Sequence, residues 1–435
     1  MDTPPTPRNV NFTWSIQASR RIDISIRYHV VVMLTRRRLL TSAFAASTLL
    51  ATRSQAALAE MKITRVRYYD SPIGWRVSNQ SSQIVTVETD QGITGIGEGG
   101  TKEMMDTLAG VLIGESPNRI EHLWQLMYRG DFYPPGREKI HALGALDMAL
   151  WDIKGKALDI PVYELLGGLT RNYVPCYSTG FPSQGNVRDT ARACMDFGFK
   201  AFRTSVFAST DGYFEPQNAV RTSVANCEEI RKGVGDDGAW AIDYHTRLDF
   251  ADAVRLSTLL EPLEPIFCED LVRSENPGVY RELRPLVKVP IAVGEHFADR
   301  WEINELVEQR LIDYSRVTIP NVGGITEMKK LATYCEPHYV GLIPHFTGPI
   351  AEASLVHVLG SSPQFGMMEM TGDGNHELPH LPECYDFSEG KMWPNQRPGL
   401  GVTFDSSKAD LISEITEHRP GLPKYFRRDG SLTNW

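Results

Sequence analysis

The sequence predicts an α/β barrel of parallel strands, with a smaller α+β domain in front of it. Two observations support this fold class. Short apolar strands alternate with amphipathic helices after about residue 185, a rhythm typical of parallel βα units, and acidic residues end successive strands at equal intervals. About seven or eight such units favour a closed barrel. An open doubly wound sheet is the alternative, and its dinucleotide-binding form loses support because no G-x-G-x-x-G motif follows the first strand.

The predicted elements divide the chain into an N-terminal segment (1–59), a capping domain (60–185), a barrel (186–372) and a tail (373–435). The capping domain has β-branched strands at 61–69, 83–89 and 93–98 and a helical pattern at 140–158. Helices are clearest in the barrel at 250–260 and 326–336. The barrel strands are predicted at 201–204, 240–243, 266–269, 291–295, 314–318, 340–344 and 365–370. The tail is rich in Pro, Gly and aromatic residues and is expected to pack back on the capping domain.

The N-terminal segment has the order of an export signal. Arg36-Arg37-Arg38 precedes a weakly apolar stretch (39–51), and small-residue cleavage sites follow at 54–56 and 57–59. The twin arginine resembles a Tat signal, which predicts a periplasmic protein. The apolar stretch is too short to stay as a membrane span. Two alternatives are open: a disordered or anchoring arm with a cytoplasmic protein, and translation starting at Met33.

Composition and charge narrow the classes of partner. The formal net charge is −9 and no long basic run occurs after residue 60, which argues against nucleic acid. The six cysteines form no close pair with zinc-like spacing. We expect buried thiols rather than a disulfide framework, with one or two bridges open if the protein is exported.

Three acidic residues stand at the ends of successive predicted strands. Asp243, Glu269 and Glu295 follow one another at intervals of 26 residues. In a βα barrel a step of this size returns the chain to the same height, so the side chains should meet at the C-terminal rim. Converging carboxylates repel one another unless a cation neutralises them. Oxygen ligands favour a hard ion, which predicts one Mg²⁺ per chain, although the spacing alone does not exclude Mn²⁺.

Further polar residues fall on the same rim. His245 lies two residues after Asp243, and His345 ends the strand predicted at 340–344. A lone histidine is usually structural, but two histidines flanking a metal are better interpreted as an acid–base pair. Glu369 stands in the apolar run Met367 to Met370, where an unpaired carboxylate is costly. Arg203 is suited to binding a carboxylate because arginine stays protonated.

These segments together resemble the enolase superfamily (the mandelate racemase and muconate lactonizing enzyme type), and within it the acid-sugar dehydratases near galactonate dehydratase. The resemblance covers nearly the whole chain from residue 61. It rests on the following motifs: residues 142–156 with Leu165-Leu166-Gly167-Gly168, Asp243-Tyr244-His245, Glu269-Asp270, Gly294-Glu295, 323–327, 344–350 and 398–402.

The resemblance implies a modified TIM barrel of the (β/α)7β type, capped by the N-terminal segment and the C-terminal tail. It implies that a sugar acid binds through its carboxylate to Mg²⁺, held by Asp243, Glu269 and Glu295. His345 would remove the α-proton to give an enediolate, and His245 would protonate the departing β-hydroxyl, giving a 2-keto-3-deoxy acid. Glu369 would act with them, and the family precedent is a symmetric homo-oligomer. The expected substrate-binding residues are Arg203, Trp75, Thr318 and His296.

Two departures from the family pattern leave alternatives open. Thr318 stands where the family usually has an aspartate that orients the histidine of the next strand. Arg203 stands near the position of the lysine base of racemases and cycloisomerases, which argues against a two-base racemase. A cycloisomerase or epimerase of the same superfamily is one alternative to the dehydratase. A catalytically degenerate, exported sugar-acid binding protein is the other.

Overall fold

The computed structural model describes residues 60–72, 83–130, 132–133, 136–209, 211–346, 348–421 and 424–434. The predicted export signal and Trp75 lie outside these residues, so both stay predictions. All six cysteines are buried and unpaired, as expected. Within the described ranges, no helix combines the length and the apolar character needed to cross a membrane.

The capping domain is built on an antiparallel sheet. Its strands are β1 (Ile63–Asp70), β2 (Ile84–Thr89) and β3 (Thr94–Glu98), close to the predicted positions. Helix α3 (Arg137–Leu158) packs on β3. A Cβ on Gly97 would lie 1.9 Å from the Ala145 carbonyl oxygen, so glycine is needed for strand and helix to approach so closely.

The parallel sheet contains eight strands that run in sequence order. Neighbouring strands pair in parallel, and the last strand pairs with the first, Met368 opposite Cys176. Leu342 also bridges to Gly366, just before that last strand. The strands are β4 (Val174–Thr179), β5 (Ala201–Ser205), β6 (Ala239–Asp243), β7 (Phe267–Glu269), β8 (Ile291–Val293), β9 (Tyr314–Ser315), β10 (Gly341–Leu342) and β11 (Met368–Thr371).

Strand β4 was not predicted, and it falls in the segment we expected to belong to the capping domain. Its sequence, VPCYST, contains a proline and three hydroxyl residues and therefore lacks an apolar strand pattern. Tertiary pairing with β5 and β11 decides its conformation. The parallel sheet thus begins before residue 186.

Helices and short tail strands complete the described chain. The helices are α1 (Lys102–Leu112), α2 (Ile120–Tyr128), α3, α4 (Val162–Leu165), α5 (Val187–Phe197), α6 (Pro216–Val234), α7 (Phe250–Leu260), α8 (Tyr280–Leu283), α9 (Arg300–Glu308), α10 (Ile319–Val322), α11 (Gly324–Cys335) and α12 (Pro349–Gly360). The tail strands are β12 (Asp386–Ser388), β13 (Lys391–Trp393), β14 (Asp410–Ile415), β15 (Tyr425–Phe426) and β16 (Leu432–Asn434). Strand β14 pairs with β1, so the tail returns to the capping sheet.

The inward side chains of the barrel strands form a small apolar core of their own. Its buried members are Tyr177, Ala201, Ala241, Phe267, Ala292, Ile343 and Met367. Five of them lie on their strands, Ile343 directly follows β10 and Met367 directly precedes β11. This packing fills the barrel and leaves the C-terminal ends of the strands as the place for a polar site.

Candidate active site

The three predicted metal ligands lie at the same end of neighbouring strands. Asp243 ends β6 and Glu269 ends β7, and the two are paired in register. Glu295 follows β8 by two residues, because Gly294 at φ +153° ends the strand before it. Asp243 and Glu269 are buried, and the Glu295 side chain is 11% exposed. Asp243 and Glu269 are therefore level in the sheet, whereas Glu295 lies three residues beyond Ala292, the register partner of Glu269, so equal spacing in the sequence does not correspond to equal height.

Arg203 lies on β5 and contacts several carboxyl groups of the rim. Its Nη2 lies 2.6 Å from Asp243 Oδ2, and its Nε donates to Glu269 Oε2 at 2.9 Å. Its Nη1 lies 3.2 Å from Thr179 Oγ1 and 3.5 Å from Glu369 Oε1. The guanidinium is thus occupied by protein oxygens, an arrangement that neutralises the rim carboxylates. Its predicted role in binding the substrate stays a prediction.

Arg316, which the sequence did not single out, is a second buried cation of the rim. It is fully buried just beyond β9, with Nε 2.5 Å from Glu269 Oε1 and Nη2 2.6 Å from Glu369 Oε2. Its Nη1 also contacts the Tyr177 hydroxyl. The sequence did carry a signal, because an arginine inside the strand predicted at 314–318 must be paired if it is buried.

Negative charge exceeds positive charge around this cluster. Five carboxyl groups (Asp243, Glu269, Asp270, Glu295 and Glu369) face two guanidinium groups (Arg203 and Arg316). Burial raises the pKa of Glu269 and of Asp270 well above the ordinary range, and neighbouring carboxylates add to that rise. A divalent cation would relieve the surplus, and oxygen donors suit a hard ion. The residues present therefore fit a magnesium site.

Asp270 and His296 add a further group of possible ligands beside Glu295. His296 Nε2 lies 3.4 Å from Asp270 Oδ2 and 3.4 Å from Glu295 Oε1. These three side chains offer ligand atoms within 4.8 Å of one another. His296 was predicted to bind substrate, and the geometry places it next to a predicted metal ligand. Asp270 was quoted in a motif without a role, and its Oδ2 has no hydrogen-bond partner among the described residues.

His345 follows β10 and is 6% exposed. Its Nε2 lies 3.3 Å from Glu295 Oε2, and its Nδ1 lies 3.5 Å from Thr318 Oγ1. Thr318, which stands at the position of the family's aspartate, thus contacts one ring nitrogen, while Glu295 supplies a carboxylate neighbour to the other. Burial lowers the pKa of His345, and Glu295 opposes that shift. The imidazole is therefore neutral near neutral pH and able to accept a proton.

His245 lies on the other side of the cluster. Its Nδ1 is 3.3 Å from Asp243 Oδ2, and its backbone N–H donates to Asp243 Oδ1 at 2.6 Å. Its φ of +51° is unusual for a residue other than glycine. The side chain is 51% exposed, so it can exchange protons with solvent.

Glu369 lies in β11 on the floor of the cluster. It accepts a hydrogen bond from Thr179 Oγ1 at 2.5 Å and contacts both arginines. Although burial opposes ionisation, Arg316 and Arg203 hold the pKa of this carboxyl well below its usual range. The run of methionines around it thus buries a carboxylate that is fully paired.

Two family models match this chain. The first, Enolase C-terminal domain-like, matches residues 186–408, and the second, Mandelate racemase / muconate lactonizing enzyme, N-terminal domain, matches residues 60–167. The chain belongs to the enolase superfamily. The fold class predicted from the sequence is thereby confirmed as the superfamily barrel with its capping domain.

Several relatives within the enolase superfamily are similar along most of the chain. A D-mannonate dehydratase from Caulobacter vibrioides is 34% identical over 386 residues, which is 80% of this chain and 94% of the relative. A D-galactonate dehydratase from Ralstonia pickettii is 34% identical over 393 residues, covering 86% of this chain and all of the relative. An enolase from Pantoea ananatis, solved with bound D-gluconate and Mg, is 29% identical with a TM-score of 0.72, covering 80% and 94% of the two chains.

Proposed function

We propose that this enolase superfamily member is a magnesium-dependent dehydratase that converts a sugar acid into a 2-keto-3-deoxy acid. One observation carries the proposal: two imidazoles flank the carboxylate cluster, His345 beside Glu295 and His245 beside Asp243, each at 3.3 Å. Removal of an α-proton and loss of a β-hydroxyl need a base and an acid on either side of one bound substrate. The dehydratases among the relatives support the same reaction class.

In the proposed site Asp243, Glu269 and Glu295 hold one Mg²⁺. When bound, the cation draws negative charge from the substrate carboxylate and so makes the neighbouring C–H more acidic. Arg203 and Arg316 hold these ligands from below through the contacts described above. Their pairing with both oxygens of Glu269 and with Oδ2 of Asp243 fixes the orientation of these two carboxylates.

His345 accepts the α-proton in this proposal. Its burial keeps the imidazole neutral, and its position beside Glu295 places Nε2 next to the proposed metal ligand. His245 donates a proton to the leaving hydroxyl, and its exposure lets solvent restore that proton after each turnover. Glu369 stays ionised between the two arginines, where it holds both guanidinium groups in place beneath the cluster.

A panel of sugar acids tests the proposed function. D-mannonate, D-galactonate and D-gluconate are incubated with the protein and Mg²⁺, and 2-keto acid formation is measured. We expect one or more of them to yield a 2-keto-3-deoxy acid. An isomer or epimer as product would replace the dehydratase by another reaction of the superfamily, and no turnover across a wide panel would favour a binding protein.

We also propose that the protein is exported and forms a homo-oligomer. The order of charged, apolar and small residues at 36–59 motivates the first proposal. Sequencing the N-terminus of the native protein should find a start near Ala57 or Glu60, and a retained Arg36 would contradict export. Light scattering on the purified protein tests the second proposal, and a monomeric mass would contradict it.

A further inference from the structure

Glu98 is a fully buried carboxyl group that ends the capping strand β3. Its Oε2 accepts hydrogen bonds from the backbone N–H groups of Ile350 and Ala351, each at 2.8 Å. These N–H groups belong to the first turn of α12, where they have no partner inside the helix. A carboxyl group is favoured there by the free N–H groups and by the helix dipole. The capping domain therefore caps a barrel helix.

The chain that leads into α12 also carries His345. Gly348 immediately precedes the helix, and a Cβ on it would lie 1.9 Å from Glu98 Oε1. The carboxyl group thus touches the connection from β10 as well as the helix. Because this connection is short, the position at which α12 begins constrains the position of His345.

Glu98 is itself held in place by the capping domain. The Tyr68 hydroxyl lies 3.0 Å from the Gly99 carbonyl oxygen and 2.5 Å from that of Gly100, the two residues after Glu98. The same hydroxyl contacts Gln83 Oε1 at 2.7 Å. Tyr68 on β1 therefore holds the two residues after Glu98, while Glu98 itself bonds to the first turn of α12.

We propose that Glu98 is a positioning residue for His345, through which the capping domain sets the position of the base. The proposal rests on the proposed function of His345. If Glu98 only held the two domains together, its loss would lower stability alone. The proposed positioning role predicts that its loss also changes proton transfer by His345. A displacement of about 1 Å at the base is enough to lower turnover by about 100-fold.

Asp152 offers a matched control. It is fully buried like Glu98, and it also accepts two backbone N–H groups, from Ile96 of the same domain at 3.0 Å and from Leu400 of the tail at 2.8 Å. Neither donor lies on a segment that carries a proposed catalytic residue. Loss of Asp152 should therefore loosen the capping domain without displacing His345.

The test compares Glu98→Ala, Glu98→Gln and Asp152→Ala. We expect Glu98→Ala to lower kcat by about 10- to 100-fold with KM nearly unchanged, and to slow exchange of the substrate α-proton with solvent deuterium equally. Glu98→Gln keeps an oxygen acceptor for both N–H groups and should recover most of the lost kcat. Asp152→Ala should lower the thermal midpoint while kcat stays near that of the parent.

A second measurement does not depend on turnover. Diethyl pyrocarbonate modifies accessible neutral imidazoles, and peptide mass spectrometry gives the rate at His345. We expect faster modification of His345 in Glu98→Ala than in the parent or in Asp152→Ala. If Glu98→Ala does not fold, Gly348→Ala, which displaces the same turn, should show the same faster modification.

The outcomes separate the two proposals. An inactive parent in which Glu98→Ala still exposes His345 would remove the dehydratase proposal and leave the positioning role. An active parent in which Glu98→Ala keeps kcat and protects His345, losing only thermal stability as Asp152→Ala does, would show that Glu98 is a domain clamp and would overturn the inference.

Discussion

The barrel rim and the interface under the capping domain both bury several carboxyl groups, yet they stabilise them differently. On the rim, Arg316 and Arg203 hold the pKa of Glu369 below its usual range in spite of burial. At the interface, Glu98 accepts two backbone N–H groups and Asp147 accepts the N–H and the hydroxyl of Thr326, and burial raises the pKa values of Glu98 and Asp147 to about 8 and about 7. The two arginines thus keep Glu369 ionised, although they do not offset the burial of Glu269, whereas the hydrogen bonds at the interface tolerate the neutral acid. The rim therefore holds charged groups that can take part in chemistry, whereas the carboxyl groups of the interface fix the positions of the segments that they contact.

Removal of the metal should produce the largest difference between the two regions. We expect exhaustive chelation to abolish turnover and Mg²⁺ to restore it, because the surplus charge at Asp243, Glu269 and Glu295 requires a cation. Mg²⁺ should also raise the thermal midpoint of the parent, since it binds the folded state. Asp147→Asn, a change at the interface, should keep the response to Mg²⁺, while Glu269→Gln should lose it. Full activity after chelation would remove the metal assignment.

Substitution of His345, the proposed base, should give the second largest loss of activity. We expect His345→Asn to lower kcat by at least about 10⁴-fold, the upper end for general-base loss, because a proton beside a carboxylate is a very weak acid. Exchange of the substrate α-proton with solvent deuterium, followed by NMR, should stop as well. His357→Asn is the control, since His357 is equally buried but hydrogen-bonds to Tyr163 N–H and the Leu400 carbonyl instead. Exchange near the parent rate in His345→Asn would place the base elsewhere.

The free energy of unfolding should also respond differently to substitutions on the barrel rim and at the interface under the capping domain. Arg316→Met leaves Glu269 and Glu369 buried beside a single arginine, and breaking such a buried pair typically costs about 3–5 kcal/mol. Asp147→Asn keeps one oxygen for the Thr326 hydroxyl or N–H, now at 2.5 and 2.9 Å, and should cost about 1–3 kcal/mol. Urea unfolding in the presence of a chelator measures both. Equal losses of unfolding free energy in the two variants would contradict the proposed difference between carboxyl groups paired with arginine and those that accept neutral hydrogen bonds.

The smallest expected effect is a shift in pH dependence. His345 must be neutral to act as a base, and burial lowers its pKa, so activity should persist to lower pH before its acid limb. Thr318→Asp places a carboxylate where a hydroxyl now lies 3.5 Å from Nδ1. This favours the protonated imidazole and should move the acid limb of kcat upward by about one pH unit. Thr318→Asn has the same size without charge, and an equal shift in it would show that charge is not the cause.

The alternation of strands and helices in the barrel could be predicted from the sequence, because short apolar segments that end in acidic residues recur at a regular interval. Asp243, Glu269 and Glu295 were found in this way, and His245 and His345 followed from their positions beside strand ends. Strand β4 was missed because its composition does not mark it, and only pairing with β5 and β11 fixes it. The contacts of Arg316 and of Glu98 join residues 53 and 252 positions apart. No local pattern encodes such contacts, although a charged residue in an apolar run does signal that a partner exists.

The return of the tail to the capping sheet has a consequence for biosynthesis. Arg67 on β1 and Glu414 on β14 are paired across 347 residues, so a ribosome makes nearly the whole protein before β1 gains its outer neighbour. Contacts so distant in sequence slow folding, and an uncovered strand edge can recruit strands of other nascent chains. We therefore expect a chain truncated after residue 405 to aggregate when expressed at a level where the full chain stays in solution. Strand β14, which is synthesised long after β1, thus protects the edge of β1 from pairing with other chains.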